Sequence, residues 1–361
     1  MTHFIQSRIH NHIGFILLDR PKALNSLSLD MIRSITQTLL DWKEDASIQA
    51  VVIHSSHERA FCAGGDIRYF YDIGTATPKG DSAQLEDFFT EEYALNYLIH
   101  FYPKPYISLM HGVVMGGGMG IAQAGPLNRL RIVTEKTKMA MPEVNIGLFP
   151  DVGGGYFLSR CAGEIGTWLG LSGETMNGAD ALYANLADLF LPGEQLPALI
   201  QLLESKNHSD IRRSIREFAA PYQALAGTGQ LALHRSMIDR HFMHDAVIDI
   251  CRSLQEDTSA FAQQTLALLH TRSPLLLCVT LEQLRRAKHL SIAECLRMER
   301  TMVRHCFKHG EVLEGIRALV IAKDMQPRWQ PASLTEVSEE LIQSFFVNVW
   351  PDYAHPLRAL A

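Results

Sequence analysis

A-F-C-A-G-G-D at residues 60–66 and H-G-V-V-M-G-G-G-M-G at 111–120 each follow a short apolar run, V-V-I-H-S at 51–55 and Y-I-S-L-M at 106–110. Each then leads into a helix-like stretch. Glycine at such strand-to-helix turns lets the chain bend tightly and leaves backbone N–H groups uncovered. Two loops of this kind from adjacent strands can converge on one oxygen, and paired N–H donors stabilise negative charge as it forms there. Removing one such donor typically costs roughly two to three orders of magnitude in rate. For either loop taken alone, a tight turn serving only close packing is the competing account. The second loop does not fit the dinucleotide fingerprint G-x-G-x-x-G, because Ile121 stands where the last glycine belongs.

Outward from these loops, strands and helices alternate. Phe4–His10 and Ile13–Asp19 flank the turn Asn11-His12 and read as a β-hairpin. Ser28 then caps a helical pattern in which Met31, Ile35, Leu39 and Trp42 share one face. Further strands are expected at 50–54, 106–111, 131–134 and 138–141, with helices over 82–100 and 117–124. This order predicts an α/β core. Past about Gly163 the pattern turns almost wholly helical, over 196–205, 209–219, 230–240, 245–269, 274–288, 292–309 and 311–322. No Pro/Gly/Ser-rich linker separates the halves. The expected division is an α/β part at 1–205 and a helical part at 206–361.

A third segment, M-P-E-V-N-I-G-L-F-P-D-V-G-G-G at 141–155, brings Glu143 and Asp151 into one loop too rich in proline and glycine to be a single helix. Apolar neighbours (Met141, Val144, Ile146, Leu148, Phe149) would desolvate either carboxylate, raise its pKa and suit it to general acid/base work. The competing account is that each caps a turn, with Asp151 as a helix N-cap.

The chain has 361 residues, 47% of them hydrophobic, enough for a sizeable core. Its 33 basic and 39 acidic residues give a net charge of -6 without blocks of one sign, which argues against nucleic-acid and membrane partners. Six cysteines (Cys62, Cys161, Cys251, Cys278, Cys295, Cys306) form no C-x-x-C pair, so neither a zinc site nor a disulfide framework is expected. The opening residues M-T-H-F-I-Q-S-R lead into no apolar stretch of signal-peptide or membrane-span length, and the expected location is cytoplasmic. Cys62 lacks a His/Asn partner at a persuasive spacing and reads as a small buried hydrophobe; His111 reads as packed or bonded to a turn.

The three segments, in this order and spacing, resemble the crotonase (enoyl-CoA hydratase/isomerase) superfamily. I-L-L-D-R-P-K-A-L-N-S-L at 16–27 and E-G-I-R-A-L-V-I-A-K-D at 314–324 extend the resemblance toward both ends. It implies a crotonase-like spiral of ββα units with a helical C-terminal part. It also implies a coenzyme A thioester as substrate, its carbonyl oxygen held by N–H groups of Ala63 and Gly117. Arg20, Lys22, Arg68 and Lys323 are the candidate cations for the CoA phosphates. CoA is then part of the substrate, and neither a further cofactor nor a metal is implied.

Within the superfamily, hydratases use two glutamates, and Gly120 stands where the first would be. Asp151 stands where those enzymes carry glycine. With E-E-Y at 91–93, R-S-P-L-L-L-C-V-T-L-E-Q-L at 272–284 and M-E-R-T-M-V-R-H-C-F at 298–307, this resembles the 3-hydroxyisobutyryl-CoA hydrolase branch. The implied reaction is hydrolysis of a 3-hydroxyacyl-CoA thioester, as in valine catabolism. Glu143 and Asp151 would be catalytic, and Glu92, Gly117, Glu143 and Asp151 would contact the substrate. From its helical pattern alone, Glu92 is equally an exposed helix acid. The helical part would cover the active site or form the interface of a homo-oligomer. Two alternatives remain: a hydratase or isomerase of the same superfamily, and a non-catalytic acyl-CoA-binding protein.

Overall fold

The computed structural model describes residues 4–77, 81–205 and 208–361. The first three residues of the amino-terminal stretch and the two residues after the expected 205/206 boundary lie outside this set. By its contacts the chain divides into two compact units. One comprises Met1–Gly65, Ala94–Ala140 and Thr175–Ala232; the other comprises Asp66–Tyr93, Met141–Glu174 and Leu233–Ala361.

The first unit holds the strands β1 (Ile5–His10), β2 (Ile13–Leu18), β3 (Ala50–Ser55), β4 (Ala60–Cys62), β5 (Tyr106–Met110), β6 (Val113–Met115), β7 (Arg129–Val133), β8 (Lys138–Ala140) and β9 (Leu189–Phe190). They form a six-stranded sheet, β1-β2-β3-β5-β7-β9, and a three-stranded sheet, β4-β6-β8. The hairpin forms as expected: β1 and β2 pair antiparallel, and Asn11 and His12 take the positive φ angles, 47° and 64°, that a tight hairpin turn requires. Among the described residues every other pairing between these strands is parallel. The strands come in successive couples, β3–β4, β5–β6 and β7–β8, the first of each entering the larger sheet and the second the smaller. Helices α2 (Ile67–Ala76), α4 (Gly117–Gly120) and α5 (Gly154–Leu158) follow the couples in turn, which is the ββα repeat of the crotonase-like spiral.

Helix α1 (Leu29–Glu44) opens at Ser28, whose hydroxyl accepts from the Met31 N–H. It buries Met31, Ile32, Ile35, Leu39 and Trp42, and each of the four Met, Ile and Leu side chains removed from water contributes about 1.5–3 kcal/mol. The larger sheet carries a core of Ile13, Phe15, Val52, Ile107, Leu130 and Ile132, closed by Leu199 and Leu203 of α8 (Leu196–Ser205) and Ile215 of α9 (Ile211–Ala219). Arg131, almost wholly buried, ties β7 to the chain before β9 by two hydrogen bonds to the Asp188 carboxylate. This stretch of the chain also contains α3 (Ala83–His100) and α7 (Gly178–Tyr183).

The second unit contains α6 (Ile165–Ser172), α11 (Val247–Glu256), α12 (Ala260–Leu269), α13 (Pro274–Ala287), α14 (Ile292–His309), α15 (Glu311–Ile316) and α16 (Glu339–Ser344). Helix α10 (Gln230–Phe242) precedes α11. Residues 245–269, expected as one helix, are two. The Asp257 carboxylate takes the Ser259 N–H and Ser259 caps a new helix through the Ala262 N–H, so local side-chain bonds interrupt the ladder. The helix expected over 117–124 likewise shortens to Gly117–Gly120. Past α15 the last turn widens to a π-helical one at Arg317–Ile321. Among the described residues, no helix is long and apolar enough to cross a membrane.

Candidate active site

In the first unit, β4 and β6 are neighbours in the smaller sheet, and the two glycine loops leave their ends side by side. A Cβ on Gly118 would lie 2.3 Å from the Cys62 carbonyl oxygen, and one on Gly64 would lie 3.1 Å from that of Met115. Only glycine permits this approach, and Gly64 also needs its φ of 100°. Gly117 opens α4, where its N–H has no carbonyl one turn back to meet it. The Ala63 N–H donates to the Leu24 carbonyl at 3.1 Å, so it already has a partner within the chain. The Cys62 side chain is fully buried, as its reading as a small hydrophobe requires. His111 is tied through Nδ1 to the Thr134 hydroxyl at 2.9 Å.

In the second unit, three of the expected carboxylates come together with a fourth. Glu92 of α3 is 2% exposed, Glu143 at the head of a 3₁₀ turn 7%, Asp151 5% and Glu299 of α14 0%. Glu92 is therefore not a solvated helix acid, and its Oε1 has no hydrogen-bond partner among the described residues. The same holds for Oε2 of Glu143. Asp151 caps no helix with its side chain: α5 starts from Gly153 without a side-chain cap, and Asp151 Oδ2 accepts the Tyr93 hydroxyl at 2.7 Å. Tyr93 carried no assignment in the sequence, although it ends the E-E-Y motif beside Glu92.

Burial dominates the electrostatics. It pushes Asp151 up to about 6, partly countered by the Tyr93 hydroxyl bound to it. Glu143 is raised well above the ordinary carboxylate range, first by burial and then by the charge of Asp151, with Glu92 and Glu299 adding to it. Glu92 is raised by burial and by Asp151, and burial lifts Glu299 to about 8. So many acids in one dry cluster cannot all ionise together. Two buried oxygens without partners among the described residues, and carboxyls raised above their ordinary range by burial, are what a proton-transferring site requires.

The expected phosphate cations differ in their surroundings. Arg20 is engaged within the first unit: Nη1 donates to the Ser26 carbonyl at 2.9 Å and its hydroxyl at 3.2 Å, and the guanidinium lies over the Phe4 ring. Lys22, Arg68 on α2 and Lys323 beyond the π-helical turn are exposed.

A family model for enoyl-CoA hydratase/isomerase matches residues 13–346. The mitochondrial 3-hydroxyisobutyryl-CoA hydrolases of Xenopus laevis and Homo sapiens are 40% and 39% identical to the chain over 341 and 342 residues, covering 93% of this chain and 86% of each relative. Among solved structures, a carnitinyl-CoA dehydratase from Mycobacterium thermoresistibile matches with a TM-score of 0.89 and 37% identity over 97% of this chain and 98% of that one. An enoyl-CoA hydratase from Rhodobacter sphaeroides 2.4.1 matches with a TM-score of 0.85 and 36% identity over 96% and 98%. The chain belongs to the enoyl-CoA hydratase/isomerase family.

Proposed function

We propose that the protein hydrolyses a 3-hydroxyacyl-CoA thioester, with 3-hydroxyisobutyryl-CoA as the substrate and 3-hydroxyisobutyrate and CoA as products. The observation that carries this reading is the pairing of Glu143 and Asp151 in one buried cluster while Gly120 offers no side chain. A hydratase of the kind the resemblance implies needs a second glutamate at Gly120, so hydration loses one of its acids. The hydrolases, 39–41% identical in several vertebrates, support the same choice.

Attack on the thioester carbonyl builds negative charge on its oxygen. In this reading the Gly117 N–H meets that charge, and the Ala63 N–H joins it by sharing its proton between Leu24 and the ligand. Glu143, once deprotonated, either takes a proton from the attacking water or itself attacks the carbon. In the second route the C–S bond breaks, the CoA thiolate leaves and is protonated, and water then opens the acyl-glutamyl anhydride. Asp151 orients the acyl hydroxyl or shares in proton transfer, and Glu92 contacts the substrate. Lys22, Arg68 and Lys323 remain the cations assigned to the CoA phosphates; Arg20, already bonded to Ser26, is the weakest of the four. A cytoplasmic setting within valine catabolism completes the proposal, supported by six cysteines scattered without a C-x-x-C pair, the pattern expected in a reducing compartment.

Release of free thiol from 3-hydroxyisobutyryl-CoA and from crotonyl-CoA, assayed side by side, tests the reading. Thiol should appear with the first alone; hydration of crotonyl-CoA without thiol release from either sinks it. Single turnover in ¹⁸O-water separates the two routes, since an unlabelled Glu143 carboxylate counts against the anhydride.

A further inference from the structure

Directly behind Asp151 the chain adopts a backbone that its own residues resist. Val152 has a φ of 53° and is buried, a conformation that is an outlier for a β-branched residue and persists only where the surroundings impose it. Two helices distant in sequence supply that imposition. Glu299 of α14 accepts the Gly153 N–H on Oε2 at 2.8 Å and the Gly155 N–H on Oε1 at 3.0 Å. Gln283 of α13 donates through Nε2 to the Pro150 carbonyl at 2.7 Å and to Glu299 Oε1 at 3.2 Å. The turn from Pro150 to Gly155 is thus held on both sides of Asp151. A Cβ on Gly155 would lie 3.0 Å from Glu299 Oε1, so glycine there lets the carboxylate reach the backbone.

We propose that Glu299, together with Gln283, is a positioning residue for thioester hydrolysis, fixing the strained turn so that the Asp151 carboxylate keeps its single orientation against Tyr93. The proposal rests on the reading of Asp151 as part of the reacting site. A carboxyl side chain suits the task because its two oxygens satisfy two backbone N–H groups that an apolar replacement would leave unpaired and buried. The titratable groups its charge reaches are Asp151, Glu143, Tyr93 and Cys295. Its hydrogen bonds act on Asp151 through the turn, and its charge also bears on Asp151 and Glu143.

A double-mutant cycle separates this role from that of an inert brace. Glu299→Gln, Asp151→Asn and the double variant are purified, checked for folding by thermal melts, and assayed for kcat and KM with 3-hydroxyisobutyryl-CoA. Glu299→Gln should lower kcat on the order of 10²-fold, the scale of a misplaced catalytic group, with KM nearly unchanged. In the Asp151→Asn background the same change should cost less than about twofold, because the residue it acts through is already lost. Equal losses in both backgrounds overturn the positioning role while leaving the hydrolase reading intact. Asp151→Asn with unchanged kcat overturns that reading of Asp151 and the proposal with it. If Glu299→Gln fails to fold, Gln283→Leu takes its place in the same cycle, with about a tenfold loss expected that vanishes beside Asp151→Asn.

Discussion

The hydroxyl of Tyr93 donates to Oδ2 of Asp151 over 2.7 Å, with both side chains buried. A donor fixed on a carboxylate favours its charged form, and here it offsets part of the rise that burial imposes. Asp151 thereby stays titratable near neutral pH inside a cluster of acids.

Tyr93→Phe removes that donor and leaves the ring in place. The Asp151 pKa should climb above its value of about 6, and the acidic limb of the pH profile of kcat/KM should move upward on the order of one pH unit. A limb that stays put would show that Asp151 is not the group titrating in it.

Glu143→Gln keeps the shape of the side chain and abolishes its base and nucleophile character. The rate of thiol release should fall by roughly 10²–10⁴, with KM changed far less. Retention of half the wild-type kcat would remove Glu143 from the mechanism.

The same substitution should stabilise the protein in a pH-dependent way. Burial raises the Glu143 carboxyl in the folded state, so above its ordinary value of 4.5 the native protein still holds a proton that the unfolded chain has released. Unfolding then frees a proton, and stability falls as pH rises toward the folded-state value. Relative to wild type, Glu143→Gln should therefore gain about 1.4 kcal/mol per pH unit across that window. Chemical denaturation at pH 5 and pH 8 measures it, and an identical difference at both values contradicts the raised carboxyl.

Gly118→Ala places a methyl group 2.3 Å from the Cys62 carbonyl oxygen, a backbone atom that cannot rotate away. A loss of about 1–3 kcal/mol in stability is expected from the forced shift, together with strongly reduced hydrolysis. Wild-type turnover in this variant would mean that the close approach of the two glycine loops does not matter to the reaction.

Much of the fold was legible because its signals are local. The hairpin at Asn11-His12, the Ser28 cap and the apolar face of α1 each lie within a few residues, and each formed where expected. Where competing local bonds were silent in the pattern, the expectation failed, as at Asp257–Ser259, which divides 245–269 into two helices.

Sequence by itself determined the alternation of strands and helices, the two glycine loops and the presence of Glu143 and Asp151 in one segment, since these depend on residue type and short spacing. It left open whether Glu92 was solvated and whether Asp151 was a cap. Tertiary structure decided both, because burial and hydrogen-bond choice arise from chain segments far apart: Tyr93 lies 58 residues before Asp151, and Glu299 lies 146 residues after the Gly153 N–H it accepts. No spacing rule spans such distances. Only packing brings those acids into one dry cluster, and that dryness sets their protonation.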